Sequence, residues 1–202
     1  LAGFFFGGDI NTVRQIIEIF TDQLMGLDPN RVSMHGLSAG GSATWSMLKS
    51  HPTVPSAGVP MSARTSSNGL DLYTPIWLSQ GGRDNDPTPA QTQGLANTMQ
   101  DAGANFRYTL YPDLAHNVWS THYREPDFFP FLLDANKTNP WPLFGRTEFC
   151  PEDSIDVTLG VTAGFNAYQW RKDGVVIPGA TANTLQVTEL GVYDVRLQRG
   201  SA

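Results

Sequence analysis

Between residues 9 and 111 the chain alternates segments of helical period with short strand-like runs, and no other feature constrains its fold as much. Asp9 can cap a helix carrying Ile10, Val13, Ile16, Ile17, Phe20 and Leu24 on one face, with Gly26 at its stop. Past the Asp28, Pro29, Asn30 turn, the pattern predicts a strand over 31–35, a helix over 38–50, and buried strands over 57–61 and 75–80. Thr88, Pro89 and Gln91 then form a helix start in which Thr caps and Gln answers, with Gly103 as the stop. Phe106, Tyr108 and Leu110 alternate with polar residues as a further strand. Strand followed repeatedly by helix implies an α/β fold: a parallel sheet with helices on both faces.

From about Glu148 the helical period disappears. Ile155, Val157 and Leu159 alternate with polar neighbours, and the run 168–170 is joined by an Asp173-Gly174 turn to Val175, Val176 and Ile177. Leu185, Val187, Val192, Tyr193, Val195 and Leu197 complete a set of short strands that predicts a small β-sandwich. The expected organisation is therefore 1–138, a stiff Pro- and aromatic-rich linker over 139–147, and 148–202. A hydrophobic fraction of 40% and a charged fraction of 16% suffice for packed cores. A net charge of −6 without a basic cluster argues against a phosphate-tracking nucleic-acid binder. Apolar runs such as Phe4 to Phe6 are far shorter than the ~20 residues of a spanning helix.

Gly36, Leu37, Ser38, Ala39 and Gly40 match Gly-x-Ser-x-Gly, placed between a strand and a helix. That context predicts a sharp turn presenting Ser38 at the carboxyl end of the sheet, with glycines 36 and 40 making room and the Ala39 amide facing a developing oxyanion. A serine hydroxyl needs a base, and the base needs a carboxylate to orient it. Of the four histidines, His35 is expected to pack on a sheet face, His51 to cap the far end of the helix, and His122 to lie in a later helix. His116, in the loop after the last parallel strand, shares the edge of Ser38. Asp84, after the strand ending near Gln80, is the better acid. Asp86 suits a turn, and Asp113 is too near His116 in sequence to reach round it. The chain order serine, acid, histidine belongs to neither the chymotrypsin nor the subtilisin arrangement.

On these residues the chain resembles the α/β-hydrolase superfamily, and within it secreted feruloyl and acetyl-xylan esterases and polyhydroxyalkanoate depolymerases. The matching text is DPNRVSMHGLSAGGSATW, LSQGGRDNDPTP and YPDLAHNVW, within about residues 9–135. The resemblance implies Ser38 as nucleophile, Asp84 as orienting acid, His116 as base, Ala39 as an oxyanion donor and Trp119 as an aromatic wall of the substrate pocket. Ala115 stands where the family has glycine. The family's first strands and second oxyanion amide precede the helix at Asp9, and Gly7 and Gly8 lie too near it to replace them. The expected fold is thus the C-terminal part of an α/β-hydrolase sheet, prone to aggregate at its open edge.

The C-terminal piece resembles an immunoglobulin-like module, with Trp170 as its buried tryptophan and Tyr193 at a tyrosine corner. Val157 and Val195 occupy its usual cysteine positions, and the last strand is expected beyond Ala202. The single cysteine, Cys150, is then expected to pair downstream of the chain's end. The resemblance implies a secreted or cell-surface bacterial serine esterase needing no metal or cofactor, acting on an ester substrate, polysaccharide-linked or polyester. A prolyl-oligopeptidase-type peptidase and an inactive scaffold presenting a binding module are the alternatives.

Overall fold

The computed structural model describes residues 9–24 and 26–200, so Phe4 to Phe6, Gly7 and Gly8 lie outside the described residues. Strands β1 (Ser33–Leu37), β2 (Ala57–Met61), β3 (Ile76–Gly81) and β4 (Phe106–Tyr111) form one parallel sheet in that order. Helix α1 (Ile10–Glu18) precedes the sheet, α2 (Ala39–Ser50) joins β1 to β2, and α3 (Pro89–Asp101) joins β3 to β4. Two short helices, α4 (Trp119–His122) and α5 (Phe128–Leu133), follow.

The period of two in β3 divides the interior. Ile76 and Leu78 pack with Trp45 and Leu48 of α2 and Leu95 and Met99 of α3. Trp77 between them points the other way, to Val59, Met61, Val118 and Phe128. Both faces of the sheet are thus covered, as the alternating pattern requires. At α3 the Thr88–Gln91 capping box is present as expected. Strand β1 runs two residues later than the pattern suggested, because its pairing continues from Ser33↔Ala57 to Leu37↔Met61, directly into Ser38.

The first helix departs from expectation. Asp9 caps it, accepting from the Asn11 amide at 2.9 Å, but none of its residues is buried and Ile16 is 37% exposed. After Glu18 the hydrogen bonding widens to a π-helix over Ile19–Leu24. The wider turn rotates the apolar stripe, so a 3.6-residue period does not carry through to Phe20.

Beyond residue 140 lie two three-stranded antiparallel sheets. One has the order β10 (Tyr193–Gln198), β7 (Ala167–Lys172), β8 (Val175–Val176); the other β5 (Trp141–Pro142), β6 (Val157–Gly160), β9 (Thr184–Val187). Asp173 and Gly174, at φ 51° and 79°, make the tight hairpin between β7 and β8. Val161, Trp170 and Val195 form a buried cluster that takes in Leu159 and Leu185 from one sheet and Leu197 from the other. Val157 instead pairs with Val187 across β6 and β9. Trp141 and Pro142, expected in the linker, pair with Gly160 and Leu159. Cys150 is exposed.

These sheets meet the parallel sheet at the amino ends of its strands. Arg199 donates to the carbonyls of Thr53 at 2.9 Å and Pro29 at 3.1 Å. The Trp141 indole donates to the Gly103 carbonyl at 2.8 Å. Between them, buried Lys137 donates to the hydroxyls of Thr74 and Thr162, each at 2.7 Å, and both hydroxyls donate onward to Asp71. Burial pushes the Lys137 amine down to about 7, with Asp71 opposing. Among the described residues no helix is long and apolar enough to cross a membrane.

Candidate active site

Ser38 stands between the end of β1 and the first residue of α2, at φ 52° and ψ −116°. Such a conformation costs a non-glycine residue on the order of 1–3 kcal/mol and persists only where its surroundings enforce it. Here the enforcement is local: the Ser38 amide donates to the Met61 carbonyl at 2.9 Å, and the Ser38 carbonyl accepts from the Ser42 amide at 3.0 Å. A Cβ on Gly36 would come within 2.2 Å of the Gly40 carbonyl oxygen, and one on Gly41 within 2.6 Å of the Ala63 Cβ. A Cβ on Gly40 meets nothing within 4 Å, so among the described residues Gly41 has the role the pattern assigned to Gly40. The Ala39 amide is the first of α2 and has no partner within the helix, which leaves it free to donate at the positive end of the helix dipole.

The other two residues meet at the same edge. The Nδ1 of His116 lies 2.9 Å from Oδ2 of Asp84. The carboxylate is buried, its side chain 4% exposed, while the imidazole is 40% exposed. Asp84 is held from three directions: Gln80 Nε2 donates to Oδ2 at 3.0 Å, the Asp86 amide to Oδ1 at 3.1 Å, and His116 completes the set. Gln80, itself fully buried, also donates to the Pro87 carbonyl at 2.9 Å and so fixes the loop. Gly81 and Gly82 let the two loops touch, because a Cβ on Gly81 would stand 1.9 Å from the Ala115 carbonyl oxygen. The rival carboxylates are engaged elsewhere: Asp86 faces Arg64 at 3.7 Å and Asp113 pairs with Arg83 at 2.6 Å. Ser38 makes no side-chain hydrogen bond at its helix cap.

Trp119 opens α4 with its ring edge-on to His116, centroids 6.0 Å apart, and packs on the Trp77 side of the core. His51 caps α2 through its amide and reaches Asn11 with Nε2 at 3.0 Å. His35, expected to be packed, is exposed, although its ring lies edge-on to Tyr123 and Phe128. His122 is fully buried and bonds Tyr111 through Nδ1 at 2.9 Å. Two residues that pattern reasoning passed over stand at this edge, Gln80 and Ser62. Ser62 has a φ of 46° that nothing in its residue type announces. Two cavities, of about 370 and 540 Å³, lie at the amino ends of the strands and include none of Ser38, Asp84 or His116. Among the described residues no group of three or more His, Cys, Asp or Glu could hold a metal ion.

No protein-family model and no curated protein matches the chain. Solved structures do. A thermostable esterase is 21% identical, with a TM-score of 0.52, over 61% of this chain and 36% of that one. SOBER1 of Arabidopsis thaliana is 26% identical, with a TM-score of 0.49, over 61% of this chain and 62% of that one. The first likeness shows the fold alone: the described parallel sheet and its helices share that structure's architecture, consistent with an α/β-hydrolase fold. The chain spans 36% of the length of that esterase.

Proposed function

We propose that this chain carries the catalytic edge of a serine carboxyl-ester hydrolase, with Ser38 as nucleophile, His116 as base and Asp84 as orienting acid. The observation that carries the reading is the 2.9 Å bond from His116 Nδ1 to the buried Asp84, at the strand edge where Ser38 sits in a strained turn. With Nδ1–H donated to Asp84, the imidazole lone pair lies on Nε2. Ser38 gives its proton to Nε2 as Oγ attacks the ester carbonyl carbon, and the oxyanion that forms is met by the Ala39 amide. Collapse breaks the bond to the alcohol oxygen, which leaves with the proton from Nε2. Water then delivers its proton to Nε2 while attacking the acyl-enzyme, and the acid is released with Ser38 restored. Hydrogen bonds of resting enzymes often tighten only around substrate, which accommodates a Ser38 hydroxyl without a side-chain partner.

Trp119, edge-on to His116, suits an aromatic wall for the acyl or alcohol group. The two antiparallel sheets suit an immunoglobulin-like module: Trp170 is fully buried, and Tyr193 Oη donates to the Glu189 carbonyl at 3.0 Å as in a tyrosine corner. A secreted enzyme acting on polysaccharide-linked esters or polyesters fits this pairing. The test is fluorophosphonate labelling, with hydrolysis of p-nitrophenyl acetate compared with a peptidyl p-nitroanilide. Labelling at Ser38 and preference for the ester are expected. Preference for the anilide would transfer the site to a peptidase, and absence of labelling would leave the scaffold reading.

A further inference from the structure

Strand β2 contributes none of the three proposed catalytic side chains, yet its end touches the Ser38 turn, the strand that leads to Asp84 and the His116 loop. The Met61 carbonyl accepts from the Ser38 amide at 2.9 Å. The next residue, Ser62, donates its amide to the Ser79 carbonyl at 2.9 Å, on the strand that leads to Asp84. Its hydroxyl donates to the carbonyl of His116 at 2.7 Å. Ser62 is 1% exposed, so water cannot replace that donor without opening the core. Its φ of 46° lies in the region where serine is strained and glycine is not. A residue whose only role was to turn the chain would be better served by glycine.

We propose that Ser62 is a positioning residue: through its hydroxyl and amide, with the neighbouring Met61 carbonyl, it holds the Ser38, Asp84 and His116 loops in one register. The proposal rests on the serine-hydrolase reading of that edge. Backbone hydrogen bonds fix the nucleophile turn, and the strand that carries the acid loop, to the end of β2, whereas the base loop is tied to it by the Ser62 side chain. Removing the hydroxyl breaks the base loop's tie to β2, leaving the loop held only by its own turn, where the Val118 amide donates to the His116 carbonyl at 3.1 Å, and by the acid loop, where the Arg83 amide donates to the Leu114 carbonyl at 2.9 Å. A displacement of about 1 Å between reacting groups can cost about a hundredfold in rate.

The test uses the 202-residue chain and two variants. Ser62→Gly removes the hydroxyl and relaxes the backbone, whereas Ser62→Ala removes the hydroxyl and keeps the strain. Three quantities are measured: the rate of fluorophosphonate labelling at Ser38, the low-field proton resonance of His116 Nδ1–H, assigned by its loss in His116→Ala, and the melting temperature. Expected for Ser62→Gly are labelling about ten- to a hundredfold slower, a broadened or lost resonance, and an unchanged or higher melting temperature. Ser62→Ala should share the first two effects and melt lower. Wild-type labelling and resonance in Ser62→Gly would overturn the proposal. So would a labelling loss in Ser62→Gly matched by a loss of stability in that same variant, or failure of both variants to fold, since either marks a purely structural role. Should the wild-type chain not be labelled, the hydrolase reading fails on its own, and the resonance still decides: its persistence in Ser62→Gly overturns positioning and its loss supports it.

Discussion

A Cβ on Gly36 would overlap the Gly40 carbonyl, and one on Gly41 would press on Ala63 and the Met61 carbonyl, while Gly40 faces open space. Gly36→Ala and Gly41→Ala should therefore each destabilise the fold by about 1–3 kcal/mol. Gly40→Ala, near the start of α2, should be neutral or stabilising by up to about 1 kcal/mol; urea unfolding midpoints check all three. For the proposed triad, alanine at Ser38, Asp84 or His116 should each lower ester turnover by orders of magnitude, and Ser38→Ala with His116→Ala should cost little more than the worse single change. Additive losses measured with p-nitrophenyl acetate would count against a cooperating set. At this scale the sequence was informative where chemistry is tied to residue type. Ser38 was marked by flanking glycines, and Asp84 and His116 by loops after strands. Ser62 was invisible because its hydroxyl meets a carbonyl far along the chain, and Gln80, although only four residues from Asp84, because no period or motif marks a strand-end amide that reaches a carboxylate in the loop that follows. Gly41 was missed because its two nearest neighbours, Ala63 and the Met61 carbonyl, come from the end of β2 and lie outside the motif.

Helix α4 is bound to β4 by a half-buried polar chain: Tyr111 Oη donates to Glu125 Oε1 at 2.8 Å and meets His122 Nδ1 at 2.9 Å. If the tyrosine proton goes to Glu125, the bond to His122 uses the imidazole Nδ1–H, and Nε2 is a bare acceptor that has no partner. Burial lowers the His122 pKa to about 4, with Glu125 opposing and Arg107 assisting, and burial and Glu125 together raise that of Tyr111. In the unfolded chain the imidazole takes a proton near 6.5, while in the folded protein it waits until about 4. Unfolding is thus favoured progressively as pH falls from 6.5 toward 4, and the effect levels off below that. His122→Gln, which keeps a donor for Tyr111 and does not titrate, should flatten the pH dependence of the urea midpoint across that window. Parallel profiles for the two proteins would remove the histidine as the cause. Elements coded by local signals were legible: the Thr88–Gln91 box, the Asp173-Gly174 hairpin and the wholly apolar run Ala57–Met61. Elements decided by tertiary pairing were not, since β5 exists only through β6, and the π-turn after Glu18 carries no residue signature.

The antiparallel sheets sit against the amino ends of the parallel strands, so the length of those strands separates them from the edge that bears Ser38. Their fit is close. Gly160 of β6 faces the Tyr73 ring, and a Cβ there would lie 2.2 Å from Cε1. The backbone at Tyr73 cannot readily withdraw, because its amide is held by Asp71 at 2.7 Å and that carboxylate belongs to the buried Lys137 network. Such an interface predicts that the two parts unfold as one cooperative unit, unlike domains on a flexible tether. Gly160→Ala should lower the urea midpoint of the whole chain by an amount corresponding to about 1–3 kcal/mol. Tyr73→Ala removes the obstacle, so the double variant should be more stable than the sum of the two single losses allows, a coupling that a double-mutant cycle isolates. The test separates docking from tethering. If the parts are merely linked, Gly160→Ala shifts only a transition of the antiparallel sheets and Tyr73→Ala gives no recovery. Because the contact lies opposite the proposed catalytic edge, ester turnover per folded molecule should stay at the wild-type level in both single variants, even while their stability falls.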